Sequence, residues 1–470
     1  MTGGTKASAG VDPKTIVAMP TRDFFIDMVT RDIPLDAVVL DLVDNSVDGA
    51  KRLRGTGTFD GLEVRIEANP SQFSIVDNCG GFSSAVARDY AFRFGRVSGE
   101  EGARGTPWAV GTFGIGMKRA IFRLGRKFYI RSTWEKSLFE VEEDVEVWRK
   151  KGDGPWEFHF KKLDESTHHT TEKRGTEVRV THLFPGVADA FKVESYPTDL
   201  ASWIGERHRA ALEKGLHVSV NGVPAKVGFV EILQSKLIKP ILIDKTERPN
   251  PRTTLRTRIY AGIGRVPEEL PQDRADEDSG SDLASSDLAG WYVYCNGREL
   301  LHADKTRLTG WGDGNPEYHP QYSMFRGYVF FDCANPSLLP WNTTKTGVES
   351  EHAAFQKARL LMIPALRQAI KLMNARDREL DIIKGPTPIT DAIRAASSVV
   401  LEKVRPSEEL VRPAEVPPVR RPQKTEAKIA YTEPIEIFEL ARERLGIRGR
   451  RPGPVVGRKT FQYYVDHELN

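Results

Sequence analysis

Residues 39–50, Val-Leu-Asp-Leu-Val-Asp-Asn-Ser-Val-Asp-Gly-Ala, constrain the fold more than any other stretch of the chain. On a helix, offsets of four and three residues gather Asp41, Asn45 and Asp48 along one stripe, while Val39, Leu42, Val43 and Ala50 face elsewhere. The result is a polar seam on an otherwise buried helix. Carboxylate, amide and carboxylate in a row suit a hydrated divalent cation and a water molecule. A plain solvated face has no need of that arrangement.

Two further segments turn the seam into a candidate site. Residues 73–82, Phe-Ser-Ile-Val-Asp-Asn-Cys-Gly-Gly-Phe, read as a short apolar strand that stops at Asp77 and turns through Gly80 and Gly81. A carboxylate at a strand end can accept the amino hydrogen of a base. Residues 110–125 are a glycine-rich turn, with Gly111, Gly114 and Gly116, running into an amphipathic helix. Backbone amides and a positive helix end then face whatever anion sits there, and Lys118 adds a point charge.

Helix with acid and amide, strand with Asp and glycines, then glycine loop into helix: this order resembles the GHKL ATP-binding superfamily, which includes gyrase B, MutL, the ninety-kilodalton heat-shock chaperones, histidine kinases and MORC proteins. Residues 173–183, Lys-Arg-Gly-Thr-Glu-Val-Arg-Val-Thr-His-Leu, look like the family's late Gly-Thr box. The resemblance implies that Asp77 and Thr176 hold adenine, that Asn45 carries Mg²⁺ with Asp48 beside it, and that Gly81, Gly114, Gly116 and Lys118 line the nucleotide and its phosphates. Asp41 stands where ATPase members carry a Glu general base, one methylene longer, so slow hydrolysis is expected. Cys79 stands where the family often has the first glycine of its Asp-x-Gly-x-Gly box.

Composition sets outer bounds. At 470 residues the chain can bury two sizeable cores, and 39% hydrophobic with 28% charged residues describes an ordinary globular protein. No stretch approaches the roughly 20 apolar residues of a spanning helix, and the N-terminus lacks a signal-like apolar run, so a cytoplasmic protein without a membrane partner is expected. Three scattered cysteines, Cys79, Cys295 and Cys333, exclude a disulfide scaffold or a thiolate zinc site. A net charge of +3 argues for no nucleic acid globally. Local basic clusters surround the glycine loop (Arg88, Arg93, Arg96, Arg104, Lys118, Arg119, Arg123, Arg126, Lys127) and the tail (Arg442 to Lys459), where a phosphate backbone could bind.

The expected architecture is α+β: a GHKL (Bergerat) ATP-binding α/β sandwich over 12–190, a transducer-like α/β domain over 191–350, a helical stalk at 351–383, a Pro-rich linker at 384–432 and a basic tail module at 433–470. Strands are expected near 62–68, 73–76, 127–133, 139–148, 156–161, 176–181, 217–227, 228–232, 254–263, 291–298 and 327–332. Gly99, Gly102 and Gly105 make 96–112 a candidate lid. Residues 94–98, 110–118 and 342–345 resemble the MORC lid and transducer loop, and by that resemblance Lys345 reaches the terminal phosphate. The implied activity is a Mg²⁺-dependent ATPase that pairs two copies into a clamp, with DNA as client. A chaperone-like ATPase and a nucleotide-gated scaffold with little turnover are the alternatives. A histidine kinase is disfavoured because only about twenty residues precede the leading helix, and a type II topoisomerase because 384–470 is too short for a cleavage domain.

Overall fold

The computed structural model describes residues 20–31, 33–93, 107–111, 114–151, 155–228, 230–265, 287–380, 387–411, 432–447 and 452–468. Most of the expected lid, the acidic insertion beginning at 267, and Arg448, Arg450 and Arg451 of the tail lie outside these residues. The chain divides into two units, residues 1–417 and 418–470.

Among the described residues the larger unit holds an eight-stranded, a five-stranded and a two-stranded sheet. Helix α1 (Arg22–Thr30), capped by the Thr21 hydroxyl, precedes α2 (Leu35–Arg54), the seam helix. Strands β1 (Glu63–Asn69) and β2 (Gln72–Asp77) form a hairpin, followed by the short helix α3 (Ser84–Val86) and a π-turn at Ala87–Ala91. Helix α4 (Gly116–Leu124) leads directly into β3 (Gly125–Trp134) and β4 (Ser137–Asp144). Then come α5 (Val145–Arg149), β5 (Phe160–Asp164), β6 (Gly175–Leu183), α6 (Pro185–Ala190), α7 (Tyr196–Arg207), α8 (Arg209–Glu213), β7 (His217–Val220) and β8 (Val223–Pro224). The eight strands order as β5-β4-β3-β6-β2-β1-β7-β8. All neighbours are antiparallel except β1 and β7. Strand alternation sends Val64, Ile66 and Ala68 into the core that Val38, Val43 and Val47 of α2 and Ile121 of α4 also fill.

Two expectations change here. Alternating Val-Glu-Val-Trp suggested a strand through residue 148, but Asp144 caps a helix instead, its Oδ1 accepting the amides of Glu146 (3.0 Å) and Val147 (3.2 Å). Trp148 is thereby buried, stacked between Phe122 and Phe158. The expected domain boundary at 190 falls inside the first layer. Leu200 and Ile204 of α7 and Val218 and Val220 of β7 bury in the first core, and β7 extends the first sheet.

The second sheet holds β10 (Ile241–Asn250), β11 (Thr253–Ile263), β12 (Gly290–Cys295), β13 (Arg298–Asp304) and β14 (Phe325–Cys333), ordered β10-β11-β14-β12-β13, while β9 (Ile232–Gln234) pairs with β15 (Ser397–Val399). Strand β10 had no signal because its second half is charged and exposed, as an edge strand tolerates. Helix α9 (Ala353–Leu380) is no projecting stalk. Phe355, Met362, Leu366 and Ala369 bury it against Trp291, Phe325 and Phe331. Residues 387–411, expected as a linker unable to bury a core, do bury one. Helix α10 (Pro388–Arg394) sinks Ile389 and Ile393 beside α9, and Leu401 and Val404 cover Tyr260, Tyr292 and Tyr328 on the other face of the sheet. The sparse apolar residues between prolines suffice because a preformed sheet supplies the rest of the contact.

The smaller unit contains α11 (Ile435–Arg444) and α12 (Gly453–Glu468), where Ile435, Leu440, Tyr463 and Tyr464 are exposed. Among the described residues, no helix is long and apolar enough to cross a membrane.

Candidate functional site

The seam of α2 opens onto a cavity of about 490 Å³. Asp41, Asn45, Asp48, Asp77, Gly81, Gly114, Gly116, Lys118, Thr176 and Lys345 all line it. The sequence-predicted residues therefore converge from α2, the β2 and β6 ends, the start of α4 and a loop of the second sheet. Asn45 is the exposed residue of 41–50, whereas Asp41, Asp44 and Asp48 are buried.

At the floor, Asp77 ends β2 directly opposite Thr176 on β6. Ser46 on α2 donates to Asp77 Oδ2 (2.8 Å), and the amides of Cys79 (2.9 Å) and Thr176 (3.3 Å) reach Oδ1. Burial raises the Asp77 carboxyl above its ordinary value, against the opposing hydrogen bonds from Ser46, Cys79 and Thr176. The turn after it needs glycine. Gly81 has φ +61°, and a Cβ there would stand 2.3 Å from the Thr133 carbonyl oxygen. The buried Cys79 thiol, occupying the family's usual glycine position, is pushed up by burial and by Asp77.

At the opposite end α4 begins at Ile115 without a side-chain cap, with Gly114 at φ +66° just before it. Such a start presents backbone donors and a positive helix end to the cavity. Gly116 lies against the seam, since a Cβ there would come 3.3 Å from Asp41 Cγ. Lys118 is buried, and its ammonium donates to the Ala91 and Arg93 carbonyls, so it braces the segment after the π-turn as well as lining the cavity. Asp48 grips protein backbone rather than open space: its carboxylate accepts the Val110 and Gly111 amides, each at 2.7 Å.

The inner wall is an ion cluster. Arg119 donates from Nε (3.1 Å) and from Nη2 to Asp41 Oδ2. Lys345 Nζ lies 2.7 Å from Asp44 Oδ2 and 3.6 Å from Asp41 Oδ1. Arg298 Nε makes a charge contact with Asp44 Oδ1 at 3.1 Å, and His208 Nε2 sits 2.7 Å from the same oxygen. Burial would raise the Asp44 carboxyl, but Lys345, Arg298 and His208 overcome it and hold it well below the usual carboxylate range. His208 is pushed down to about 4 by burial and by Arg298, so it is neutral and donates its one ring proton to Asp44. Burial opposes the charge on Lys345, yet Asp44 and Asp41 raise its pKa. Arg119, Lys345 and Arg298 thus pair with Asp41 and Asp44, and the buried Asp48 acts on Lys345 as well.

Arg298, His208 and Ser46 were not assigned from the sequence, and Arg119 entered only as one of the basic residues around the glycine loop. A carboxylate on a buried seam does imply a buried counter-cation, but Arg298 and His208 come from distant elements with no local signal. Lys345 carries its own mark in the structure, a left-handed φ of +52°, which a non-glycine residue keeps only when its surroundings hold it.

A family model describing histidine kinase-, DNA gyrase B-, and HSP90-like ATPases matches residues 33–176. The match spans every expected site residue except Lys345, and it supports an ATP-binding, ATP-hydrolysing domain of the GHKL superfamily. No curated protein matches the chain.

Proposed function

We propose that this protein is an ATP-driven conformational switch that binds MgATP in the α2/α4 cavity, hydrolyses it and passes the nucleotide state to the second sheet through Lys345. The observation that carries this reading is the 2.7 Å contact between Lys345 and Asp44, which joins residues 301 positions apart at the wall of the cavity. In this reading Asp77 and Thr176 take the adenine edge, Gly81 leaves room beside it, and the start of α4 with Gly114 and Gly116 faces the phosphates. Lys118 holds the neighbouring backbone and adds positive charge. The donor set fits a magnesium ion: Asn45 is the exposed amide of the seam and lines the cavity, with a side-chain oxygen suited to a hard cation. When bound, the ion offsets phosphate charge.

Asp41 orients the attacking water and accepts its proton, and Lys345 leaves the carboxylates for the terminal phosphate, whose negative charge takes their place. The MORC and MutL likeness extends this reading to pairing of two copies on ATP and to DNA as client, with the basic tail residues as a contact surface. One feature favours the second reading, a nucleotide-gated scaffold with little turnover. The Arg119 guanidinium already occupies Asp41 Oδ2, so that oxygen is taken up before any water arrives.

Calorimetry with ADP and a non-hydrolysable ATP analogue, alongside phosphate release, tests both. Asp77→Asn is expected to lose at least tenfold in nucleotide affinity while keeping its circular dichroism, because a charged acceptor for the base disappears. Asp41→Asn should bind the analogue and lose turnover. Parent affinity in Asp77→Asn removes the nucleotide site, and equal phosphate release in Asp41→Asn and parent leaves the scaffold.

A further inference from the structure

The first sheet and the second sheet each contain the same small device. A strand parallel to its neighbour ends in Asn-Gly, and the asparagine side chain closes on the neighbour's backbone. In the first sheet Asn221 (φ +47°) follows β7, its amide donating to the Ile66 carbonyl while its side chain pairs with both the amide and the carbonyl of Ala68, each at 2.8 Å. In the second, Asn296 (φ +48°) follows β12, its amide donating to the Phe331 carbonyl while its side chain pairs with the amide (2.9 Å) and carbonyl (3.0 Å) of Cys333. The shared part is structural, a lock on the adjacent strand.

What differs is everything else Asn296 does. Asn221 is exposed, whereas Asn296 is buried. Asn296 Nδ2 also reaches the Ala109 carbonyl (3.2 Å), and its own carbonyl accepts from Lys51 Nζ (3.1 Å), which simultaneously holds the Trp108 carbonyl (3.0 Å). Lys51 sits one turn after Asp48 on α2. Four consecutive backbone groups are therefore gripped from outside their own segment: carbonyl 108 by Lys51, carbonyl 109 by Asn296, amides 110 and 111 by Asp48. The Trp108 amide adds a bond to Ala334 just beyond β14 (3.3 Å). Ala109 and Gly111 line the cavity, while Lys51 and Asn296 do not.

We infer that Lys51 and Asn296 are positioning residues that fasten the cavity wall at 108–111 between α2 and the second sheet, so that displacement of the second sheet is felt at the nucleotide site by a route separate from Lys345. The nucleotide part of this inference rests on the function proposed above. The fastening itself does not, because its hydrogen bonds join only groups of this chain. A lysine bridging two carbonyls makes charge-assisted bonds, and these are stronger than neutral ones.

The test uses the full chain. Amide hydrogen exchange without nucleotide is followed at Val110 and Gly111, then affinity for ADP by calorimetry. Lys51→Met keeps the helix and the apolar stem and removes both carbonyl bonds, and Lys51→Arg restores two donors. Asn296→Gly keeps the left-handed backbone and removes the side chain, with Asn221→Gly as the matched control in the other sheet. Lys51→Met and Asn296→Gly should exchange Val110 and Gly111 roughly tenfold faster and bind ADP several-fold more weakly, with Lys51→Arg close to the parent. Asn221→Gly should lower the melting temperature and change neither readout. Parent-like exchange in Lys51→Met, or equal acceleration by Asn221→Gly, overturns the inference. Should Asn296→Gly fail to fold, the Lys51→Met and Lys51→Arg pair decides alone. A parent that binds no nucleotide sinks the nucleotide site and leaves the exchange signature standing.

Discussion

At the residue scale, His208 shows how the ion cluster constrains stability. Folding pushes its pKa from 6.5 down to about 4, so between those values the unfolded chain binds the proton and the folded chain does not. The sign follows from linkage: the contribution of neutral His208 is complete above pH 6.5 and drains away as pH falls toward 4, with a slope of about 1.4 kcal/mol per unit. Asp44 acts lower on the scale, stabilising above its ordinary 3.8 and losing that contribution as the pH falls further. His208→Gln keeps a donor toward Asp44 and removes the titration. Urea melts from pH 7 to 4 should therefore show a flatter decline in His208→Gln than in the parent, and identical slopes would mean His208 stays protonated in the folded state. None of this could be read from the sequence, where His208 is one histidine in a charged run. The placement of Asp77 at a strand end and of Asn45 on the helix seam was legible because strand ends and helical spacing are set within a few residues.

At the element scale, the seam helix, the β1–β2 hairpin and the glycine start of α4 followed from local pattern, since periodicity and turn chemistry act within a dozen residues. The misread elements were decided by distant partners. Strand β7 reads as part of a second domain until β1 is seen beside it, and 387–411 reads as linker until α9 and the second sheet are present to cover. That difference has a measurable outcome. Ending the chain at 380 uncovers Tyr260, Tyr292 and Tyr328 and removes the partners of α9, including the Ile389 and Thr390 amides that Glu379 accepts at 2.9 Å. A chain ending at 417 keeps them. We expect the shorter chain to melt several degrees lower, on the scale of losing a few buried aliphatic side chains, or to aggregate, and the longer one to melt like the parent. Equal melting temperatures would return 387–411 to the status of a linker.

At the scale of the whole molecule, the proposed switch requires that nucleotide state change assembly. Sedimentation velocity should show pairing with a non-hydrolysable ATP analogue and not with ADP. Lys345→Ala should abolish that difference while binding ADP as the parent does. Identical sedimentation of the parent in all nucleotide states would remove the clamp. The 301-residue span between Asp44 and Lys345 also orders events before any nucleotide is met. During synthesis at about 5–20 residues per second, Asp44 emerges roughly 15–60 s before its lysine, and Arg298 arrives only shortly ahead of it. Until Arg298 and then Lys345 emerge, Asp44 has only the neutral His208 as partner on the face it will bury. The inner-wall charge cluster is therefore complete only once the loop carrying Lys345 has emerged, long after the helix that holds its acids.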